Sequence, residues 1–135
     1  TRDNLLNRGE MITHIHLPKA TPGEQAAYFR QMSRAWGEWP LVEVVVRLIV
    51  DDGVINNAKV GVGGVANIPF RLVDVEQALI GKPATLSSLE SAAELATRQA
   101  NPLPQTAYKL PMVNAGVLEA LESAMKNTSG GKLSL

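Results

Sequence analysis

The chain has 135 residues, enough for one domain with a modest core, and its 45% apolar and 19% charged residues are typical of a globular protein. Its 13 basic residues balance 13 acidic ones, so no net charge favours binding to nucleic acid or to an anionic membrane. Cysteine is absent, which excludes disulfides and cysteine-bound zinc or iron–sulfur sites within the chain.

No stretch of the sequence predicts a membrane span or a signal peptide. The longest apolar stretch, Leu41–Val50, is interrupted by Glu43 and Arg47 and is too short to cross a bilayer. The first residues, Thr1–Glu10, are polar and charged. We therefore expect a cytoplasmic protein. Because the chain does not begin with Met, we also expect a fragment or a processed product of a longer protein.

The N-terminal part of the chain predicts a strand, a turn and a segment that fits two structures. Glu10–Leu17 has a side-chain period of two, which indicates a strand. Pro22-Gly23 indicates a turn. Gln25–Arg34 fits either a helix or a strand. Thr21 followed by Pro22 and Glu24 resembles a helix start, whereas the alternation of side chains from Tyr28 onwards fits a strand.

A β-hairpin is predicted in the middle of the chain. Leu41–Asp51 is rich in valine, and β-branched side chains favour a pleated sheet. Asp52-Gly53 is a typical hairpin turn, and Val54–Val65 follows it as the returning strand. We therefore expect these two strands to be antiparallel neighbours.

Helical periodicity replaces the strand pattern in the second half. The spacing predicts a first helix over Leu72–Ile80, ended by Gly81, and a second helix capped by Thr85. A third helix should begin near Leu110-Pro111, because proline is tolerated only in a first turn. Strands followed by three helices indicate an α+β sandwich, with the helices on one face of an antiparallel sheet.

Two short motifs could bind a cofactor or a metal, but each has a simpler interpretation. Gly61–Ala66 satisfies the G-x-G-x-x-[GA] pattern of dinucleotide-binding loops, yet Pro69 follows closely and the surrounding βαβ unit is missing. We interpret these glycines as allowing close backbone packing or a bulge. His14 and His16 have a spacing suitable for a metal, but a third ligand is not evident, so we favour a surface or interface pair.

No catalytic residue is predicted from the chain itself. A nucleophile elbow and a Ser–His–Asp set are both absent from the sequence. Glu90 and Glu94 are one helical turn apart among serines, which is typical of a solvated helix face. Trp36 and Trp39 flank a presumed turn, where they form either an interface anchor or one core and one rim tryptophan.

Five sequence segments together resemble a known family. They are Gly9–Thr13 with Leu17-Pro18, Tyr28–Arg34, Pro40–Val42, Gly63–Arg71 continuing through Glu76 to Lys82, and Ala107–Lys109. The most specific is GGVA-x-x-P-x-R followed by E-x-x-L-I-G-K. In these segments the chain resembles the C-terminal domain of the FAD-binding medium subunits of molybdenum hydroxylases, the family of xanthine dehydrogenase and carbon monoxide dehydrogenase.

The resemblance implies a fold and a domain organisation. Its members have an α+β fold in which an antiparallel sheet of three to four strands packs against three C-terminal helices, and this favours a strand at Gln25–Arg34. We expect residues 1–125 to form this carbon monoxide dehydrogenase flavoprotein C-terminal-like domain. We expect residues 126–135, which are polar and contain Gly-Gly, to be a disordered tail.

The resemblance also implies a function for the protein that contains this domain. FAD would be bound mainly by two preceding domains absent from this chain, while molybdopterin and 2Fe-2S clusters would lie on partner subunits. The domain would belong to an oxidoreductase in which electrons pass from molybdenum through the iron–sulfur clusters to FAD. We expect the isolated chain to be inactive and, cut from its partner domains, to self-associate.

Two residues match the family positions that contact FAD. Ile12 would supply a hydrophobic contact, and Arg30 stands where the family often has lysine. A cation there can stabilise negative charge on the cofactor's diphosphate or on reduced flavin. The alternative function is a stand-alone α+β interaction or dimerisation module without catalysis, since sandwiches of similar shape serve as interface domains in flavin disulfide reductases.

Overall fold

The computed structural model describes residues 5–34 and 37–127. Four antiparallel strands form one sheet in the order β1-β2-β3-β4, and helices pack against one of its faces. The elements are β1 (Glu24–Gln31), β2 (Val42–Asp51), β3 (Val54–Gly63), β4 (Phe70–Arg71), α1 (Val73–Leu79), α2 (Leu86–Ala93), a 3-10 turn (Glu94–Thr97) and α3 (Lys109–Lys126). The predicted α+β fold, with a four-stranded sheet and three helices, is confirmed.

The central hairpin forms as the sequence predicts. Its turn residues Asp52 and Gly53 have φ values of 47° and 73°, the positive values that a two-residue hairpin turn requires. Along β2, fully buried side chains alternate with less buried ones, so one face of the strand lies against the helices. The ambiguous segment Gln25–Arg34 is a strand over most of its length, since β1 pairs with β2 from Glu24 to Gln31.

The three helices begin and end close to their predicted limits. Gly81, with φ 78°, follows α1, and Thr85 stands directly before α2. The Thr85 hydroxyl lies 3.1 Å from the Ser88 hydroxyl and does not bind a backbone amide. Thr85 therefore occupies the N-cap position without making a side-chain capping hydrogen bond. Pro111 lies in the first turn of α3, where its missing N–H leaves no helical hydrogen bond unmade.

One hydrophobic core joins the sheet to the helices. Gly116 lies on the face of α3 that contacts the sheet, and a Cβ atom there would lie 3.0 Å from the Phe29 ring. The absence of this side chain therefore lets the helix approach β1 closely. The core consists of buried apolar side chains from β2, β3 and every helix, among them Val42, Val44, Val46, Leu48, Ile55, Val60, Val62, Val75, Leu79, Leu89, Val117 and Leu121.

The strand predicted for Glu10–Leu17 is wrong. These residues form no strand, and all of them are exposed. A side-chain period of two is compatible with a strand, but a strand forms only where a neighbour accepts its backbone hydrogen bonds. In the part of the chain that the structure describes, none of the four strands pairs with this segment.

Two other sequence predictions fall partly on residues 35–36 and 128–135, outside the described residues. Trp36 is one of these, whereas Trp39 is 92% exposed, which excludes a core position for it. Of the predicted disordered tail, residues 128–135 are not described, and Lys126 is the last residue of α3. The boundary between domain and tail therefore stays a prediction.

Candidate functional site

The sheet has an outer face that the helices do not cover. Residues opposite one another across the strands form a row there, from Tyr28 on β1 through Val45 on β2 and Gly61 on β3 to Arg71 on β4. Tyr28 is 58% exposed and Val45 is 55% exposed. A Cβ atom at Gly61 would meet no other atom within 4 Å. This outer face, centred on Tyr28, Val45 and Gly61, is thus an open, shallow and partly apolar surface.

Arg30 lies at the edge of the outer face. It faces Glu43 across the β1–β2 pair, two residues from Tyr28 on the same side of the strand. Its side chain is half-buried, and its guanidinium donates a hydrogen bond to the backbone carbonyl of Glu38. Arg30 therefore has a structural contact with the connection between β1 and β2 and also supplies positive charge beside the outer face.

A hydrogen bond between side chains joins β1 to β2 on this face. The Tyr28 hydroxyl donates to the Glu43 carboxylate at 2.8 Å. Burial raises the pKa of Tyr28, and the hydrogen bond to Glu43 with its negative charge raises this pKa further, while the charge of Arg30 lowers it. Tyr28 is thus held as a neutral donor close to both charges.

Ile12, the second predicted contact residue, is not part of a formed site in this chain. It is 67% exposed in the N-terminal segment, whereas Arg30 is half-buried in β1. The neighbouring Met11 and Ile15 are also exposed. The structure therefore does not combine Ile12 and Arg30 into one pocket, and their role toward a cofactor stays a prediction.

The most buried charged group among the described residues, the Glu76 carboxylate, was not predicted from the sequence as a functional group. Glu76 on α1 is 3% exposed and accepts hydrogen bonds from the Arg71 guanidinium and, at 3.0 Å, from the backbone N–H of Val60. The Lys59 ammonium lies 3.8 Å from its carboxylate. Burial raises the pKa of Glu76, but these hydrogen bonds and cations outweigh burial and hold the pKa below its ordinary value.

The glycine-rich segment does not form a dinucleotide-binding loop. β3 continues to Gly63, and the next helix begins only at Val73, so no helix N-terminus follows the glycines. Gly64 has φ 74°, and a Cβ atom there would lie 3.1 Å from the Pro40 carbonyl oxygen. This glycine therefore allows a close approach of two backbone segments.

The histidines and acids singled out in the sequence do not converge on a metal centre. His14 and His16 are exposed, and their ring centroids are 6.2 Å apart. Glu90 and Glu94 are exposed on the second helical segment and its 3-10 extension. Among residues 5–34 and 37–127, no group of three or more potential metal ligands comes together.

Comparison with known proteins identifies the family. The family model described as CO dehydrogenase flavoprotein C-terminal domain matches residues 27–124. The chain belongs to this family. The membership confirms the resemblance found in the sequence, and it assigns the chain to a family of oxidoreductase flavoproteins. No helix within the described ranges is long and apolar enough to cross a membrane.

Several relatives resemble this CO dehydrogenase flavoprotein C-terminal domain. The chain is 31% identical over 96 residues to a glyceraldehyde dehydrogenase medium chain of Sulfolobus acidocaldarius, a match that covers 71% of this chain and 34% of the relative. The carbon monoxide dehydrogenase structure from Hydrogenophaga pseudoflava that lacks the Mo-pyranopterin moiety matches with a TM-score of 0.76 and 25% identity, over 84% of this chain and 40% of that one.

A third match shows the same fold in a more distant protein. Quinoline 2-oxidoreductase from Pseudomonas putida 86 matches with a TM-score of 0.70 and 22% identity, over 78% of this chain and 38% of that one. The CO dehydrogenase flavoprotein C-terminal domain described here thus spans between about a third and two fifths of the length of these relatives.

Proposed function

We propose that the chain is the C-terminal domain of the FAD-binding subunit of a molybdenum hydroxylase-type dehydrogenase. The family match over residues 27–124 is the observation that carries this proposal. Since the chain covers only 34% of the glyceraldehyde dehydrogenase medium chain, most of such a subunit lies outside it. We therefore assign the main cofactor-binding elements to domains that precede this one.

The outer face suits an edge contact with FAD, but not a complete binding site. Arg30 offers a positive charge at its border, and Tyr28 and Val45 offer exposed surface beside it. The segment Gly61–Ala66 lacks the helix N-terminus that would bind a diphosphate. These features favour a surface that covers one side of a cofactor held mainly by other domains.

In this proposal Arg30 and Ile12 contact the cofactor but take no part in bond making or breaking. When bound, FAD would supply the electron acceptor of an assembly whose molybdopterin and iron–sulfur clusters would lie on partner subunits. Arg30 stabilises negative charge near the cofactor, and Ile12 excludes water with an apolar contact. Neither residue moves a proton or bonds to the substrate, so the isolated chain is inactive. A cytoplasmic location stays a prediction.

Purification of two polypeptides tests the proposal. The 135-residue chain would be compared with the complete product of the gene that encodes it. We expect the complete product to retain stoichiometric FAD and to co-purify with molybdenum and iron, while the chain alone is colourless after gel filtration. A complete product without flavin contradicts the proposal, and stoichiometric flavin on the chain alone contradicts the division between domains.

A further inference from the structure

A cavity of about 350 Å³ lies away from the outer face, between the sheet and the N-terminal end of α3. Its walls include Val62 and Leu72 from the sheet side and Leu110 and Val113 from α3. The 3-10 turn and the loop that follows it close another side. This volume lies in the range of about 300–1,000 Å³ that is typical of sites for small molecules.

The cavity is mainly apolar, but one cation lies in its wall. The Lys109 ammonium donates a hydrogen bond to the carbonyl oxygen of Gly64 at 2.8 Å. None of the ion pairs found among the described residues includes Lys109. Within the described residues its hydrogen-bond partner is therefore a backbone carbonyl, and the other two of its three protons can bind an anion.

An aromatic ring and charged side chains lie next to the cavity and indicate how a ligand would be oriented. Phe70 stands partly exposed between this cavity and a smaller one of about 160 Å³, so its ring is available for stacking. Asp74 lines the smaller cavity, where it accepts a hydrogen bond from Gln99. Arg71, which is paired with Glu76, also lines the smaller cavity, whereas Lys109 lines the larger one without an ion-pair partner among the described residues. A ligand with a negative end is thus attracted to the Lys109 side of the larger cavity.

We propose that this cavity binds a small aromatic carboxylate. The aromatic body would lie against Phe70 and the apolar wall, and the carboxylate would accept a hydrogen bond from one of the two Lys109 protons that do not bind the Gly64 carbonyl. A hydrogen bond between an ammonium and a carboxylate, in which both partners are charged, is stronger than one to a neutral acceptor, which favours a carboxylate over a neutral ligand. The site is separate from the outer face and does not depend on the proposed cofactor contact.

Titration with 2-naphthoate tests the site. The 135-residue chain has its own buried core, so it serves as the first sample and the complete gene product as the second. We expect saturable binding to both. Lys109→Gln should weaken it roughly three- to tenfold, because the rim charge is partly screened by water. Lys126→Gln, at the far end of the same helix, is the matched control and should leave the affinity unchanged.

A neutral analogue of the ligand and a variant with a larger side chain in the cavity provide two further measurements. The alcohol 2-naphthalenemethanol should bind more weakly than 2-naphthoate to the parent chain and about equally to Lys109→Gln. Val113→Phe should abolish binding by filling the cavity, provided that circular dichroism shows a folded protein. If Lys109→Gln and the parent bind 2-naphthoate with equal affinity, the proposal is wrong, whatever the result for Val113→Phe.

Two further outcomes would also overturn the proposal. No saturable binding of 2-naphthoate to either sample means that the cavity is not a carboxylate site. Binding to the 135-residue chain but not to the complete gene product means that an apolar side chain from another part of that product occupies the cavity, which would make it an interface.

Discussion

The Arg71 guanidinium donates two hydrogen bonds to the Glu76 carboxylate, one of them 2.9 Å long, and thereby joins β4 to α1. Glu76 also accepts the Val60 N–H, so a single carboxylate connects α1 to two neighbouring strands. A buried charge is tolerated only where such partners replace its water. This contact fixes the position of the first helix against the edge of the sheet.

Glu76→Gln should destabilise the fold by about 1–3 kcal/mol at neutral pH, because the amide keeps an acceptor for Val60 but loses the charge that binds Arg71. Chemical denaturation of the chain measures the loss. Glu90→Gln removes an exposed carboxylate on α2 and is the matched control, with an expected effect within about 0.5 kcal/mol.

The same carboxylate should make stability depend on pH in acid. Because the folded pKa of Glu76 is below its ordinary value of 4.5, its contribution is complete above 4.5 and is lost as the pH falls through the lowered folded pKa. The stability difference between the parent and Glu76→Gln should therefore shrink over that range. A difference that stays constant down to the acid transition would show that the folded pKa of Glu76 is not lowered.

Tyr28 should ionise at a higher pH than an ordinary tyrosine. The chain has two tyrosines, so a Tyr108→Phe background leaves Tyr28 as the single phenol to follow by ultraviolet absorbance. We expect a midpoint above 10.0, and a shift back toward 10.0 in Glu43→Gln, because the negative acceptor is gone. Glu90→Gln should leave the midpoint in place. An unchanged midpoint in Glu43→Gln would exclude the hydrogen bond seen here.

Two glycines with similar backbone angles should differ in their tolerance of alanine. Gly23 and Gly53 both have φ 73°, but a Cβ atom at Gly23 would lie 2.3 Å from the Val50 carbonyl oxygen, whereas one at Gly53 meets no atom within 4 Å. Gly53→Ala should cost about 1 kcal/mol from backbone strain alone. Gly23→Ala should cost roughly 3 kcal/mol or more, because the turn before β1 must also move. Equal thermal stabilities would contradict this distinction.

Much of the fold was predictable because its causes are local. The valines of β2, the Asp52-Gly53 turn and Gly81 after α1 act through neighbouring residues, and the structure confirms each of them. The period of two in Glu10–Leu17 is just as regular, yet no strand forms there. A strand depends on a partner as well as on its own sequence, and alternation says nothing about the partner.

The candidate site was less predictable, because its contacts depend on strand register. Tyr28 and Glu43 are 15 positions apart in the chain, and only the β1–β2 pairing brings their side chains together. The Arg71–Glu76 pair spans five positions and had a local signal, an arginine just before the first helix and an acid in its first turn. Ile12 and Arg30 came from family resemblance alone, and their cofactor role rests on the proposed function.

Arg30→Met should weaken FAD binding in the complete subunit by roughly ten- to a hundredfold, the scale of a lost charge-assisted contact. The physical reason is that Arg30 brings positive charge to the border of the outer face, where its charge already acts on Tyr28. It should also lower the flavin reduction potential, because anionic forms lose their counter-charge. Arg30→Lys should retain much of the affinity, since lysine keeps the charge although not the geometry.

The same arginine has a second, purely structural contact, so the controls must separate the two. Loss of the hydrogen bond to the Glu38 carbonyl would loosen the connection between β1 and β2 in both variants and would lower the stability of the isolated chain. Lys126→Met removes a cation at the C-terminal end of α3, away from the outer face and paired with Glu122, and should leave FAD binding unchanged. If Arg30→Met binds and reduces flavin like the parent while the isolated chain loses stability, Arg30 is a structural residue of the β1–β2 connection and the cofactor contact must lie elsewhere.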